Sequence, residues 1–187
     1  MLQVIRGKLK GKKLFTIKGN AVRPTSGRVK ESIFNIINSD INNAVVLDLF
    51  SGTGALGIEA LSCGADSCTF IENSSDSLSV INKNINICKL HKNTNIINWD
   101  ILQNLNCLNS IKHKFNIVFI DPPYNKNFIS IALKNLKSSN SLTHDALIIT
   151  EYDKKEKEFL KNSSFYVSDN RKYGKTLVSF LHYMVEK

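Results

Sequence analysis

The sequence predicts one α/β domain built on a doubly wound, mostly parallel sheet, with a carboxy-terminal antiparallel hairpin and a small basic amino-terminal extension. Three observations predict it. From residue 45 onward, apolar runs of strand length alternate with segments of helical periodicity. The runs are apolar at successive positions, as in "VVLDLF" and "FNIVFI", so both faces of their sheet must be covered. The last two runs follow each other with only a turn between them. A length of 187 residues suits one core of ordinary size.

The elements follow in order. "VIRGKLKGKKLFTI" reads as a short hairpin or pair of strands, in which Gly7 and Gly11 permit tight backbone. Residues 1–24 form the basic extension, and residues 25–187 the main domain. In "RPTSGRVKESIFNIINS", Pro24 disfavours helix at Arg23, and Thr25 or Ser26 can cap a helix with Val29, Ile33, Ile36 and Ile37 on its apolar face. Arg28 and Lys30 fall in its first turn, the wrong end for the helix dipole, which points to an external anionic partner. "VVLDLF", "SCTFIE", "TNIINWD", "FNIVFIDPPY" and "ALIITEY" are five strands, with helices at "GALGIEALSC", "SLSVINKNINICKL" and "FISIALKNLKS". "FYVSDNRKYGKTLVSFLHYM" supplies the edge hairpin, turning near Tyr173 and Gly174.

Composition narrows the classes. Hydrophobic residues make up 42% of the chain and charged ones 22%, and no apolar run is long enough to span a bilayer. The basic start is not followed by the apolar core of a signal peptide, so the expected location is the cytosol. Cys63, Cys68, Cys88 and Cys107 lack metal-ligand spacing and read as buried or incidental thiols. The net charge of +9 is unevenly placed: Arg6, Lys8, Lys10, Lys12, Lys13, Lys18, Arg23, Arg28 and Lys30 precede Glu31 with no acid among them. Such a segment is either a solubilising tail or a surface for a polyphosphate backbone.

"LDLFSGTGALGIEA" sets Asp48 in a strand and Gly52, Gly54 and Gly57 in the turn and helix after it. The glycines let backbone approach a ligand closely. No Lys-Ser or Lys-Thr follows them, which excludes a P-loop. A carboxylate beside the loop repels pyrophosphate and favours a ligand with a positive end. The second strand closes on Glu72, about 20 residues past the loop, the spacing of an acid that binds ribose hydroxyls. Asp100 and Ile101, after the third strand, can hold an amino-bearing heterocycle by its edge and its face.

"DPPY", Asp121 to Tyr124, ends the fourth strand at the same edge of the sheet. Pro122 and Pro123 remove two backbone donors and fix the chain, leaving rigid acceptors. With the Asp121 carboxylate they suit a planar amino group, and the Tyr124 ring offers a stacking face for an unpaired base.

The glycine segment resembles the S-adenosylmethionine loop of class I methyltransferases, which implies a Rossmann-like fold. It also implies cofactor contacts at Asp48, Phe50, Gly52, Gly54, Glu72, Asn73, Asp100 and Ile101. "DPPY" resembles the catalytic motif of methyltransferases that modify exocyclic amines, so Asp121, Pro122, Pro123 and Tyr124 are the expected catalytic residues. With "RPTSGRVKESIFNII", "FIE", "ITE" and "KYGKTLVSF" in similar order and spacing, nearly the whole chain resembles the bacterial small-subunit ribosomal RNA guanine-N2 methyltransferases, the RsmD family.

The resemblance implies a guanine in 16S rRNA of the assembled or nearly assembled small subunit as substrate. It implies RNA contacts at Arg6, Lys8, Lys12, Lys13, Arg23, Thr25, Arg28 and Lys30, and no metal. This chain departs from the family in carrying Gln3 where Arg is common and Arg6 where a small residue is usual. Alternative readings are an adenine-N6 or cytosine-N4 methyltransferase, a noncatalytic ribosome-assembly factor, and a small-molecule methyltransferase. Trp99 reads as core or pocket wall, and Glu151 as a helix cap or as support behind the site.

Overall fold

The structure is a computed structural model, and it describes residues 2–17, 26–124, 127–156, 159 and 165–183. Its elements are α1 (Gly27–Ile36), β1 (Val45–Leu49), α2 (Ala55–Ser62), β2 (Ser67–Glu72), α3 (Ser75–Cys88), β3 (Thr94–Asn98), β4 (Phe115–Ile120), α4 (Phe128–Ser138), β5 (Leu142–Asp153), β6 (Phe165–Tyr173) and β7 (Thr176–Tyr183). They form a seven-stranded sheet of order β3-β2-β1-β4-β5-β7-β6. β1 to β5 are parallel, while β7 runs antiparallel to both β5 and β6, so the predicted hairpin closes one edge.

The chain winds outward from β1 to β3 and then returns to place β4 beside β1. That reversal splays the connections above β1 and β4, and a crevice opens at their carboxyl ends. Side chains alternate across the strands. Val46, Ile117 and Phe119 therefore meet α1, α2 and α3 on one face, and Leu47, Val118 and Ile120 meet α4 on the other. Each fully buried Leu, Ile or Phe contributes about 1.5–3 kcal/mol. β3 departs from the expected two-sided burial: it is the sheet edge and stays half-exposed.

The amino-terminal segment is an arch. Its expected strand pair reduces to one antiparallel bridge, Gln3 with Lys13, around a tight turn at Gly7–Leu9. Val4 and Leu14 drop into the core beneath α1. Gly7 sits so close to α2 that a Cβ there would lie 1.9 Å from the Ser62 carbonyl oxygen, and its φ of 75° is left-handed. Only glycine meets both demands.

Ser26 is the cap of α1, its Oγ accepting from the Val29 N–H at 3.3 Å. The apolar stripe predicted for α1 docks as expected at Val29, Ile33 and Ile37, while Ile36 stays exposed. Tyr173, at the end of β6, hydrogen-bonds Ser32 of α1, so the edge hairpin braces this helix.

Candidate active site

The first wall of the site is the turn after β1. Phe50, Gly52 and Gly54 all adopt positive φ, 58°, 55° and 75°. Positive φ is unfavourable for Phe50 and free for the glycines. The Ser51 hydroxyl ties the turn down by donating to the Asp48 carbonyl at 2.6 Å. Gly57 is required for packing, because a Cβ there would stand 2.4 Å from the Phe70 ring. Gly54 likewise lies under the loop, against Phe70 and Ile81, so it shapes the turn and does not line the cavity.

Asp48 is 2% exposed and accepts the Gly57 N–H at 3.0 Å. Burial pushes its carboxyl well above the usual range, the Gly57 N–H partly offsets this, and the nearby Asp121 and Glu72 charges push it further up. Glu72 binds the loop from β2: one oxygen accepts the Gly52 N–H at 2.9 Å, the other the N–H groups of Asn73 and Ser74, both at 2.9 Å. A carboxylate has about four acceptor positions, so capacity remains for a ligand hydroxyl. Asp100 caps its own turn by accepting from the Leu102 N–H and the Gln103 side chain, both at 3.0 Å. Trp99 is held by its indole N–H on the Asn104 carbonyl at 2.9 Å.

The second wall follows β4. Pro122 is buried beneath the turn, Pro123 is exposed, and Tyr124 is half-buried. The Tyr124 hydroxyl donates to Oε1 of buried Glu151 on β5 at 2.6 Å. Burial and then the Glu151 carboxylate push the phenol far above its usual range. Tyr124 is therefore a neutral, oriented ring. Glu151 thus acts as the support behind the site, and helix capping, the plainer expectation for it, is corrected. Phe50 and Phe128 stack with centroids 6.1 Å apart and planes 4° from parallel, joining the two walls.

One cavity of about 630 Å³ joins these parts. It is lined by Asp48, Phe50, Gly52, Glu72, Asn73, Asp100 and Ile101 from the first three strand ends and by Asp121, Pro122, Pro123 and Tyr124 from the fourth. Trp99, Thr16 and Ile17 also line it. Among the described residues, four carboxylates and no Lys, Arg or His line this space. That suits a ligand with a positive end and opposes a pyrophosphate. A smaller cavity of about 340 Å³, between Ile36, Asn116, Asp145 and His182, lies at the opposite end of the strands.

Two expected RNA contacts are spent internally. Lys30 is 2% exposed and pairs with Glu59 of α2, itself 0% exposed, at 2.7 Å; its ammonium also donates to the Gln3 carbonyl at 2.8 Å. It faces the core because it follows Val29 on the buried stripe of α1, so the expected external partner is replaced by Glu59. The Arg6 guanidinium donates to the Phe34 carbonyl at 2.9 Å and to Asn35 and Asn38 at 2.6 and 3.2 Å, clamping the arch to the end of α1. Lys8, Lys12, Lys13 and Arg28 are exposed. Arg23 and Thr25 lie outside the described residues.

Sequence reasoning missed Glu59, Asn84, Thr16 and Ile17. Glu59 stands inside the apolar "ALGIEALS", and Asn84 on the α3 stripe of Val80, Ile81, Ile85 and Cys88. A polar residue at an apolar position is the signal both carried.

The family described as Conserved hypothetical protein 95 matches residues 2–182. The chain belongs to this family. Its relatives include Ribosomal RNA small subunit methyltransferase D of Haemophilus influenzae, 35% identical over 154 residues, or 82% of this chain and 79% of that protein. The protein of that name in Escherichia coli K12 is 34% identical over 150 residues, 80% of this chain and 74% of that one. The solved structure of yhhF from Escherichia coli covers 98% of both chains at 27% identity, with a TM-score of 0.82. SMU.776, solved in complex with SAH, shares the fold alone, at 16% identity and a TM-score of 0.64 over 82% of this chain and 49% of that one. The fold is the Rossmann-like class I methyltransferase fold, and the chain is a methyltransferase of the RsmD family.

Proposed function

We propose that this protein methylates the exocyclic N2 amine of a guanine in 16S rRNA, with S-adenosylmethionine as donor and the assembled or nearly assembled small subunit as substrate. One observation carries the reading: the carboxylates of Asp48, Glu72 and Asp100 and the Asp121–Tyr124 turn share a single cavity free of cationic side chains among the described residues. Glu72 accepts from ribose hydroxyls, Asp100 and Ile101 take the edge and face of adenine, and Asp48 with the Phe50–Gly52 backbone takes the charged amino-acid end. The donor supplies an electrophilic methyl group on a sulfonium.

The protein positions the attacking amine. Asp121 and the proline-fixed carbonyl beside it accept its hydrogens, which favours a pyramidal nitrogen whose lone pair can attack. As the carbon–nitrogen bond forms and the carbon–sulfur electrons return to sulfur, the nitrogen becomes acidic and releases a proton to Asp121 or water. Tyr124 offers its ring face to the base, held still through Glu151. Exposed Lys8, Lys12, Lys13 and Arg28 contact the phosphate backbone, and the family pattern extends that role to Arg23 and Thr25. The relatives named for small-subunit rRNA support the choice of RNA.

The test is methyl transfer from labelled S-adenosylmethionine to unmodified 16S rRNA and to small subunits, with the product nucleoside identified by mass spectrometry. N2-methylguanosine is expected. N6-methyladenosine or N4-methylcytosine refutes the base assignment, and no transfer to either RNA substrate refutes the function.

A further inference from the structure

We infer that Phe15 is a stacking platform for an unpaired RNA base beside the target guanine, an inference that rests on the RNA methyltransferase reading above. Phe15 is 51% exposed. A lone exposed apolar side chain is ordinary; the way this one is held is not. Asn84, 0% exposed, grips its backbone at both polar groups: Oδ1 accepts the Phe15 N–H at 2.7 Å, and Nδ2 donates to the Phe15 carbonyl at 3.1 Å. Nδ2 also donates to the Thr53 carbonyl at 2.9 Å, so the same amide fixes Phe15 to the glycine loop.

The next two residues, Thr16 and Ile17, line the cavity that contains Asp121 and Tyr124. On the other side, Lys12 and Lys13 are exposed. Phe15 itself is not part of that lining, but its two successors are, whereas neither of the other exposed large apolar residues described, Ile36 and Tyr166, has a chain neighbour in it. An exposed aromatic ring on a fixed backbone, with exposed lysines two and three residues before it in the chain, has the two components of single-strand recognition, a π face for a base and charge for the backbone. Its fixed backbone lowers the ordering cost of stacking.

The experiment measures binding of unmodified small ribosomal subunits and, separately, of S-adenosylhomocysteine to the full chain and its variants. Phe15→Leu keeps the apolar bulk and removes the aromatic face; it should weaken RNA binding about tenfold. Phe15→Trp should retain wild-type affinity. S-adenosylhomocysteine affinity should be unchanged in both. Because no charge is lost, the slope of log affinity against log salt should match the wild type in Phe15→Leu and fall in magnitude by about one in Lys13→Ala. Wild-type RNA affinity in Phe15→Leu overturns the inference, as does equal loss of S-adenosylhomocysteine binding. RNA binding absent from the wild type overturns both this and the function it rests on, and is told apart because the unmutated protein itself fails.

Discussion

Replacing Lys30 with Met should destabilise the protein without lowering the RNA affinity of the molecules that remain folded. Its ammonium stands 2.7 Å from Glu59, with both side chains out of solvent, and it satisfies the Gln3 carbonyl at 2.8 Å. Glu59 also accepts from the N–H groups of Ile5 at 3.0 and 3.1 Å and Arg6 at 2.6 Å. Removing Lys30 leaves a buried carboxylate with those backbone donors and no counter-charge. Breaking a buried pair from one side costs about 3–5 kcal/mol. At about 2–4 °C per kcal/mol for a chain of this size, the melting temperature should fall by roughly 6–20 °C.

Glu59→Gln alone should also destabilise, since it strands the ammonium. Lys30→Met with Glu59→Gln should recover part of the loss, because the amide oxygen still accepts from the arch and no net charge stays buried; the coupling should be about 0.5–3 kcal/mol. Thermal denaturation followed by circular dichroism reads the stabilities, and RNA binding below the transition reads affinity. A melting temperature within about 2 °C of wild type, a shift worth less than about 1 kcal/mol, together with lost RNA affinity would make Lys30 a phosphate ligand and refute the structural assignment.

Three further outcomes are expected. Asp121→Ala should lower kcat on the order of 100-fold while calorimetry finds S-adenosylhomocysteine affinity intact, and parallel loss of both would remove Asp121 from the chemistry. Tyr124→Phe keeps the ring and gives up the hydroxyl's bonds to Glu151 and Thr176, so it should retain most turnover, whereas Tyr124→Ala should lose about tenfold or more in kcat/KM for RNA; equal effects would mean the ring is not the working part. Asp48 has a folded-state pKa raised by burial, so the unfolded chain ionises first as pH rises above about 4, and the folded state loses stability until its own pKa is reached. Asp48→Asn should therefore gain stability over wild type as pH rises across that window in urea titrations while losing donor affinity, and equal pH slopes for the two proteins would count against a raised Asp48 pKa.

The interior was legible because it depends on local pattern. Continuous apolar runs announced β1, β2, β4 and β5, and a missing helix announced the β6–β7 edge. The place of β4 beside β1 was not legible, since strand order depends on contacts far apart in sequence. The glycine loop and the Asp121–Tyr124 turn could be foreseen at one mouth because both follow strands of the same direction, which forces their ends to a common edge.

The amino-terminal segment departs from expectation for a different reason. Its run of like charge predicts an external anionic partner for Lys30, although Lys30 occupies a position on the buried stripe of α1, next to Val29 and three residues before Ile33. A cation at an apolar position of a helix requires a buried acid, and Glu59 inside the apolar α2 is its counterpart. Arg6 met a related fate, since its clamp on the Phe34 carbonyl fixes where the arch crosses α1. Charge alone therefore overstates the RNA-facing surface, and phosphate contacts should be sought first at Lys8, Lys12, Lys13 and Arg28, whose side chains no core position claims.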